Sequence, residues 1–284
     1  MKPTKEDIYS LIKLTLNEDA PTGDATTEAV VPLDAFSHFR IIAKEETVVC
    51  GSEIAVEFFS HLSQGFEFDK VAVDGELLQA GDVLLSGKGP SRTILTAERS
   101  VLNILQRLCG IASLTRTFVQ KVEGSGIAIL DTRKTAPGLR LFEKYAVSTG
   151  GGTNHRFGLS DMIMLKENHL MIEGRHGEGY IRRAVQKCKD MHPSLRVEVE
   201  IRSPLEAEEA ASSNADVILL DNMTPSEIKQ SVKIINRRTK IEVSGNVDLK
   251  NIKKYLIRGV DYISIGSLTH SYKSSDLSLL ISNA

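Results

Sequence analysis

Helical and extended hydrophobic patterns alternate over about the first 90 residues of the chain. Ile8, Leu11 and Leu16 recur at helical spacing and predict a surface helix near the N-terminus. Extended stretches follow at 39–49 and 66–73, and residues 74–89 have the alternation and glycine-containing turns of a hairpin. This part of the chain is therefore predicted to mix helix and sheet.

One long helical pattern covers residues 91–122, where apolar side chains recur at helical intervals. The helix is predicted to break near Gly110. We expect this segment to join two domains.

The chain beyond residue 122 alternates between short apolar runs and amphipathic helical stretches. Such alternation predicts parallel strands with right-handed helical crossovers. The predicted strands lie at 127–130, 162–165, 197–201, 217–220, 241–243 and 262–265.

Each of these runs is followed by a polar side chain or a glycine. Polar strand ends gathered at one edge are typical of a (β/α) barrel, whose C-terminal face carries the chemistry. A complete barrel takes roughly 250 residues, and only about 170 remain here, so an open, incomplete barrel of the TIM type is expected. The residues at the strand ends are Asp131, Lys166, Glu200, Asp221, Ser244-Gly245 and Gly266-Ser267.

The predicted fold class is thus α/β, with an N-terminal domain of mixed helix and sheet and an incomplete barrel. The N-terminal domain is predicted to comprise residues 1–110 together with the tail 270–284. The barrel is predicted to comprise residues 111–269.

A carboxylate at a strand end can simply cap the next helix. Here, however, Thr224 to Glu227 and Ser203 to Glu206 both have the pattern of a capping box containing a proline. Glu200 and Asp221 are then not needed as caps. They remain available for function or for salt bridges within the barrel.

Composition argues against several classes of protein. With 35 basic and 37 acidic side chains, the net charge is -2, so no broad attraction to nucleic acid is expected. No apolar run approaches the roughly 20 residues that span a bilayer, and the charged N-terminus does not have the pattern of a signal peptide. The three cysteines are widely spaced, which suits a reducing cytoplasm better than a disulfide framework or zinc site.

Positive charge is nevertheless concentrated between residues 131 and 169. This segment holds six basic side chains (Arg133, Lys134, Arg140, Lys144, Arg156 and Lys166) against four acidic ones. Its glycine-rich part, 148–158, lacks the GK[ST] ending of a nucleotide P-loop and is predicted to be a flexible connector that delivers His155 and Arg156. Such a cluster predicts a small anionic ligand.

Two late loops predict a phosphate site. Ser244-Gly245-Asn246 and Gly266-Ser267 follow the last two strands, where barrels commonly bind phosphate through backbone N–H groups. Tight turns alone would be the simpler explanation of either glycine.

Lys166 supports two hypotheses: a Schiff-base lysine or a fixed cation for a polyanionic substrate. Schiff-base catalysis gives no reason for arginines to gather in the same segment. Arginine forks suit carboxylates and phosphates, so the second hypothesis is favoured, with Glu200 and Asp221 left to stabilise a positive centre or to hold hydroxyls or a metal.

Long ordered motifs resemble those of the quinolinate phosphoribosyltransferase family over nearly the whole chain. They are "NEDAPTGDATT", "AERSVLNILQRLCGIASLTR", "DTRKTAPGLR", "EKYAVSTGGGTNHRFGLSDMIMLKENHL", "VEVEIRSPLEAEEA", "DVILLDNM", "EVSGN" and "ISIGSLTHS".

The resemblance implies phosphoribosyl transfer from phosphoribosyl pyrophosphate to quinolinate, with loss of CO2 and pyrophosphate, giving nicotinate mononucleotide for NAD biosynthesis. It also implies a sandwich domain on an open seven-stranded barrel, a requirement for Mg2+, and homodimers or hexamers.

The same resemblance implies roles for individual residues. Lys134, Lys166, Glu200 and Asp221 would be catalytic, and the last two would also contact Mg2+, held mainly through the substrate. Arg99 would reach into the neighbouring subunit's site. The substrate-binding set would be Arg99, Thr132, Arg133, His155, Arg156, Ser244, Gly245, Asn246, Ile265, Gly266 and Ser267.

Three alternatives remain open on the sequence alone. A related family of similar fold, found beside molybdate-transport genes, generally lacks the paired "TRKTxPGLR" and "GGGxNHR" motifs present here. A Schiff-base aldolase would use Lys166. An anion-binding sensor would have kept the fold and lost turnover.

Overall fold

The computed structural model of the protein describes residues 1–174 and 179–283. The chain folds into two compact units. Unit 1 contains Met1–Arg116, Pro137–Gly151 and Ser271–Ala284, and unit 2 contains Thr117–Ala136 and Gly152–His270. The domain prediction placed residues 111–116 and 137–151 with the barrel, whereas here they group with unit 1, and His270 groups with unit 2 instead of the first domain. Residues 175–178 and 284 lie outside the described residues.

Unit 1 combines helices with two antiparallel sheets. Its helices are α1 (Lys5–Asp19), α2 (Ala25–Val30), α3 (Ser52–Leu62), α4 (Ser91–Val122, whose last turns belong to unit 2) and α5 (Arg140–Thr149). Its strands are β1 (Phe36–Ala43), β2 (Thr47–Val48), β3 (Glu67–Val71), β4 (Leu77–Leu78), β5 (Val83–Pro90) and β12 (Leu277–Asn283).

The larger sheet has the strand order β12-β1-β5-β3, with β1 in its interior. Alternate residues of β1 are buried, as expected of a strand with one face on the core. Phe39 on that face packs at 5.1 Å between ring centroids against Phe59 of α3, and Phe66 extends the aromatic cluster. The aromatic packing thus joins the sheet to α3.

The predicted hairpin at 74–89 is wrong. β4 pairs with β2, with Val48 opposite Leu77, whereas β5 pairs with β1 and β3. The turns at Gly75 and Gly81 are present, each with a positive φ. Alternation showed where the strands lie but not which partners they choose, because partner choice depends on contacts distant in sequence.

α4 continues without interruption through Gly110, so the predicted break is also wrong. A Cβ atom on Gly110 would lie 2.3 Å from the Lys273 carbonyl oxygen. The glycine therefore allows the tail of unit 1 to pass against the helix.

Unit 2 contains six parallel strands in the order β6-β11-β10-β9-β8-β7. The strands are β6 (Ala128–Leu130), β7 (Ile163–Leu165), β8 (Val197–Ile201), β9 (Val217–Asp221), β10 (Lys240–Ser244) and β11 (Tyr262–Ser264). The helices are α6 (Glu167–Gly174), α7 (Tyr180–Met191), α8 (Ala207–Ala211), α9 (Pro225–Ile235) and α10 (Ser267–His270), with 3-10 turns at Pro204–Glu206 and Ile252–Tyr255.

The sheet of unit 2 is barrel-like and open, as predicted. Within the described residues no ladder joins the edge strands β6 and β7. The resemblance implied seven strands; beside β6 there is instead a single parallel bridge between Leu130 and Thr153. The predicted α/β fold class, with an antiparallel N-terminal part and an incomplete barrel, is confirmed.

Of the two predicted capping boxes, one is confirmed. Thr224 accepts from the Glu227 N–H, and Glu227 accepts from the Thr224 N–H, at the start of α9. Ser203 makes no side-chain cap; Glu206 instead accepts from the Tyr180 hydroxyl at 2.6 Å and the Arg202 N–H at 2.9 Å. The short 3-10 turn leaves Glu206 aimed at α7 and not back at Ser203.

No helix among the described residues is both long and apolar enough to cross a membrane.

Replacing Gly110 with alanine should destabilise the protein. Alanine favours a helix interior by about 1 kcal/mol over glycine, but the clash with Lys273 should outweigh this with an overpacking cost of roughly 1–3 kcal/mol. Urea denaturation followed by circular dichroism measures the difference. Gln120→Ala, at an exposed position of α4, is the matched control, and a Gly110→Ala variant more stable than wild type would contradict the packing argument.

Candidate active site

A cavity of about 750 Å³ lies at the C-terminal ends of the unit 2 strands. Parallel strands bring all their carboxyl ends to one edge, so residues distant in sequence meet there. The predicted residues that line the cavity are Thr132, Arg133, Lys134, His155, Arg156, Lys166, Glu200, Asp221, Ser244, Gly245, Asn246, Ile265, Gly266 and Ser267.

The cation cluster is divided between the two units. Arg133, Lys134, Arg156 and Lys166 line the cavity, whereas Arg140 and Lys144 lie on α5 in unit 1. Four of the six predicted cations therefore line the cavity.

Asp131, directly after β6, anchors the glycine-rich segment. Its carboxylate is fully buried and accepts from the His155 N–H at 2.8 Å and the Asn154 amide at 2.7 Å. The Asp131 N–H donates to the Thr153 carbonyl at 3.2 Å. The segment predicted to be a flexible connector is thus tied down at the residues before Arg156.

Arg133 and Arg156 face the cavity without a carboxylate partner among the described residues. Nε of Arg133 is buried and meets no hydrogen-bond acceptor. Arg156 donates to the Met162 carbonyl at 3.0 Å and lies 3.6 Å from the Met164 sulfur. Burial, and then the nearby charge of Arg133, lower the pKa of Arg156, so the two cations repel each other at a site that suits an anion.

His155, which also lines the cavity, contacts two buried carboxylates. Its Nε2 lies 3.1 Å from Glu198 Oε2 and 3.4 Å from Glu242 Oε2. Burial lowers the pKa of His155, but the two carboxylates more than offset burial and raise it to about 9. Burial also raises the pKa of Glu198, so the group as a whole retains a proton at neutral pH.

The position of that proton follows from the other ring nitrogen. Nδ1 of His155 accepts from the Arg156 N–H at 2.7 Å, and an imidazolium ring has no acceptor. A second proton on Nδ1 would therefore conflict with this contact. Because the pKa belongs to the coupled group, we place the extra proton on the carboxylate side and keep the ring neutral with its hydrogen on Nε2.

Lys166 and Glu200 form an ion pair at the cavity wall. Nζ lies 3.3 Å from Glu200 Oε2, with half of the lysine side chain exposed and 11% of the glutamate. A Schiff-base lysine is activated by a dry apolar pocket or a second cation. An exposed, carboxylate-paired lysine suits a fixed cation better.

A glycine in each of the two late loops allows close contact with a neighbouring residue. Gly245 has φ +100°, and a Cβ there would lie 2.3 Å from Asn222 Oδ1. A Cβ on Gly266 would lie 2.9 Å from the Lys134 side chain, while the Thr269 hydroxyl donates to the Lys134 carbonyl at 2.8 Å. Lys134 is thereby held beside the last loop.

Comparison with known proteins decides the family. Residues 24–109 match the model of the quinolinate phosphoribosyl transferase N-terminal domain, and residues 111–280 match that of the C-terminal domain. The chain belongs to the quinolinate phosphoribosyltransferase family. The predicted resemblance is confirmed.

Individual members of the family align over almost the whole chain. A probable nicotinate-nucleotide pyrophosphorylase (carboxylating) of Bacillus subtilis is 41% identical, covering 92% of this chain and 89% of the relative. A relative of the same name from Methanocaldococcus jannaschii is 39% identical over 97% of both. The crystal structure of NadC from Streptococcus pyogenes superimposes with a TM-score of 0.94 at 40% identity, covering 100% of this chain and 99% of that one.

Among the predicted site residues, Arg99 alone does not line the cavity. It lies exposed on α4 in unit 1. Within the part of the chain that the structure describes, its side chain has no hydrogen-bond partner, so its suggested role in a neighbouring subunit stays a prediction.

Sequence reasoning missed several residues at the cavity. The most informative is Glu242 of β10, which lines the cavity. Glu198 of β8 contacts the same nitrogen of His155 and was missed as well. A charged residue between two β-branched residues of a predicted strand was the available signal, since a buried charge is costly without a partner. The other missed lining residues are Met164, Leu219, Asn222, Val247, Ser264 and His270.

The stability of the protein should fall between pH 6.5 and 9 because of the His155 group. A raised pKa means that the native state binds the proton more tightly, so this stabilisation is complete below 6.5 and lost as pH rises through about 9. The loss should reach at most about 3 kcal/mol. Urea titrations of wild type and His155→Gln across this range measure it, and parallel pH profiles for the two proteins would contradict the assignment.

Proposed function

We propose that the protein transfers phosphoribose from phosphoribosyl pyrophosphate to quinolinate and decarboxylates the product to nicotinate mononucleotide. The carrying observation is the Arg133–Arg156 pair, which faces the cavity without a carboxylate of its own. Quinolinate supplies two adjacent carboxylates. The names of the B. subtilis and M. jannaschii relatives support the same reaction.

In this proposal Arg133 and Arg156 bind the two carboxylates of quinolinate. Hydrogen bonds to charged groups contribute roughly 1.5–3 kcal/mol each, and arginine forks fix orientation as well. The dianion also removes the repulsion between the two guanidinium groups. Binding and orientation of the pyridine ring are thus achieved together.

The remaining cations and the two late loops receive the phosphoribosyl donor. Lys134 and Lys166 face the pyrophosphate and the reacting carboxylate. Backbone N–H groups at Gly245 and Gly266 suit the 5-phosphate, because glycine lets the backbone approach closely. The substrate-binding residues in these loops are Ser244, Gly245, Asn246, Ile265, Gly266 and Ser267.

Glu200 and Asp221, near the carboxyl ends of the adjacent strands β8 and β9, would stabilise the ribose centre. Their oxygen donors suit Mg2+, which binds carboxylates together with substrate phosphates. Magnesium would supply charge neutralisation for the pyrophosphate when it is bound. The carboxylates themselves would hold ribose hydroxyls and stabilise positive charge developing at C1.

The reaction then needs little covalent participation by the protein. The ring nitrogen displaces pyrophosphate from C1, so that the C1–N bond forms as the C1–O bond breaks. The ring becomes cationic, and the C2–carboxylate bond breaks with its electron pair passing to the ring carbon. CO2 leaves, and a proton takes its place.

We further propose a homodimer or hexamer in which Arg99 completes the site of a neighbouring subunit. The exposed position of this arginine on α4 supports the proposal. A cytoplasmic location is also proposed, which the three free cysteines favour.

Arg133→Ala should lower kcat/KM for quinolinate by at least about a hundredfold, since two charge-assisted hydrogen bonds are lost. The assay mixes protein, quinolinate, phosphoribosyl pyrophosphate and Mg2+ and measures CO2 and nicotinate mononucleotide. Arg238→Ala, which removes an arginine paired with Glu208 away from the cavity, is the matched control. Near-normal turnover by Arg133→Ala, or equal turnover of nicotinate by wild type, would sink the proposal.

Mixing Arg99→Ala with Arg133→Ala subunits should restore activity that neither variant has alone. In a twofold dimer, half of randomly mixed dimers are hybrids, and each hybrid has one intact site, which gives about one quarter of wild-type activity. Subunits are exchanged in mild urea and assayed after its removal. Activity no higher than the mean of the two variants would place Arg99 outside the neighbouring site.

A further inference from the structure

Glu198 and Glu242 form a buried pair that the proposed reaction does not use. Their side chains are 1% and 3% exposed, and they approach the same imidazole nitrogen, Nε2 of His155. Neither oxygen of Glu198 has the geometry of a full hydrogen bond, although Oε2 lies 3.1 Å from the ring. Burying two carboxylates costs free energy unless hydrogen bonds, an opposite charge or a metal ion compensate for the lost hydration.

A metal ion is the first alternative explanation of this group. The three side chains offer ligand atoms within 4.8 Å of one another, a spacing that a divalent transition metal could bridge. Ligation by Nε2 would require its lone pair and would put the ring hydrogen on Nδ1. Nδ1, however, accepts the Arg156 N–H at 2.7 Å, so the ring hydrogen lies on Nε2 and points toward the carboxylates.

A continuous chain of contacts therefore leads from the two carboxylates to Arg156, one of the arginines proposed to bind the substrate. Carboxylate oxygens of Glu198 and Glu242 lie 3.1 and 3.4 Å from Nε2 of His155. Nδ1 accepts the Arg156 N–H, and the buried Asp131 carboxylate accepts the His155 N–H at 2.8 Å. The His155 ring is thus fixed on both nitrogens. The backbone N–H of Arg156 is thereby held in place. Its guanidinium group donates to the Met162 carbonyl oxygen at 3.0 Å.

We propose that Glu198 and Glu242 are positioning residues for the dicarboxylate site, which fix the tautomer of His155 and through it the placement of Arg156. This inference rests on the proposed function. In this proposal His155 lines the cavity and also orients Arg156. Selection of a dicarboxylate over a monocarboxylate then depends on two glutamates that need not touch the substrate.

The tautomer is measured directly by long-range 1H–15N spectra of wild-type protein, with the His155 signals among seven histidines assigned by comparison with His155→Gln. The expected result is a protonated Nε2 and an unprotonated Nδ1 at neutral pH. The opposite tautomer, or a stoichiometric transition metal that perturbs these signals, would overturn the proposal. This measurement needs no variant in which a buried carboxylate is removed.

Function is tested with Glu242→Leu, which removes one carboxylate, and Glu242→Gln, whose amide oxygen can still accept from Nε2. Loss of a hydrogen bond to a charged group corresponds to roughly a 10- to 100-fold increase in the KM for quinolinate in Glu242→Leu. Glu242→Gln should stay within about threefold of wild type, and the KM for phosphoribosyl pyrophosphate should be unchanged in both. Rescue by glutamine separates a positioning role from general loss of packing.

A double-mutant cycle with Arg156→Lys tests the route of the effect. If Glu242 acts through Arg156, Glu242→Leu should weaken quinolinate binding much less in the Arg156→Lys background than in wild type. Additive losses would overturn the proposal. Asp216→Asn, which breaks the Lys189 pair at the N-terminal end of β9, controls for stability loss in the same unit and should leave the KM for quinolinate unchanged.

The two levels of inference fail differently. If wild type neither binds nor converts quinolinate, the proposed function is wrong. If wild type converts quinolinate and Glu242→Leu has an unaltered KM, the function stands and the positioning role is wrong.

Discussion

The site is built around two guanidinium groups that repel each other and that form no salt bridge with a carboxylate of the described residues. Arg133 lies in the loop that follows β6, and Arg156 belongs to the glycine-rich segment that Asp131 holds in place. Placing like charges together costs free energy. A bound anion offsets that cost, so the geometry favours a ligand with two negative groups at a fixed separation.

The rest of the barrel explains how this repulsion is tolerated without a ligand. Glu198 and Glu242 place negative charge near the arginines, and His155 stands between these carboxylates and the backbone N–H of Arg156. Partial neutralisation at a distance stabilises the site while leaving its binding face open.

Much of this arrangement is accessible from the chain itself. The six apolar runs correspond to six parallel strands, and the residues at their ends meet in one cavity, because strand polarity carries every carboxyl end to the same edge. The failures depend on contacts distant in sequence. Gly110 was predicted to break the helix, but it is required by close packing against Lys273. Ser203 was predicted to cap a helix with Glu206, but Glu206 accepts from the Tyr180 hydroxyl instead. Glu198 and Glu242 escape notice because a charge inside a strand reveals its partner only once the strands are side by side.

Recognition of two adjacent carboxylates by the arginine pair can be measured by calorimetric titration of the protein with simple analogues. Benzene-1,2-dicarboxylate keeps both charges of quinolinate but lacks the ring nitrogen, while benzoate keeps only one. We expect the dicarboxylate to bind at least about thirtyfold more tightly than benzoate, the effect of one charge-assisted hydrogen-bonded pair, and Arg133→Ala to remove most of this difference. Equal affinities of the wild-type protein for the two acids would contradict recognition by the arginine pair.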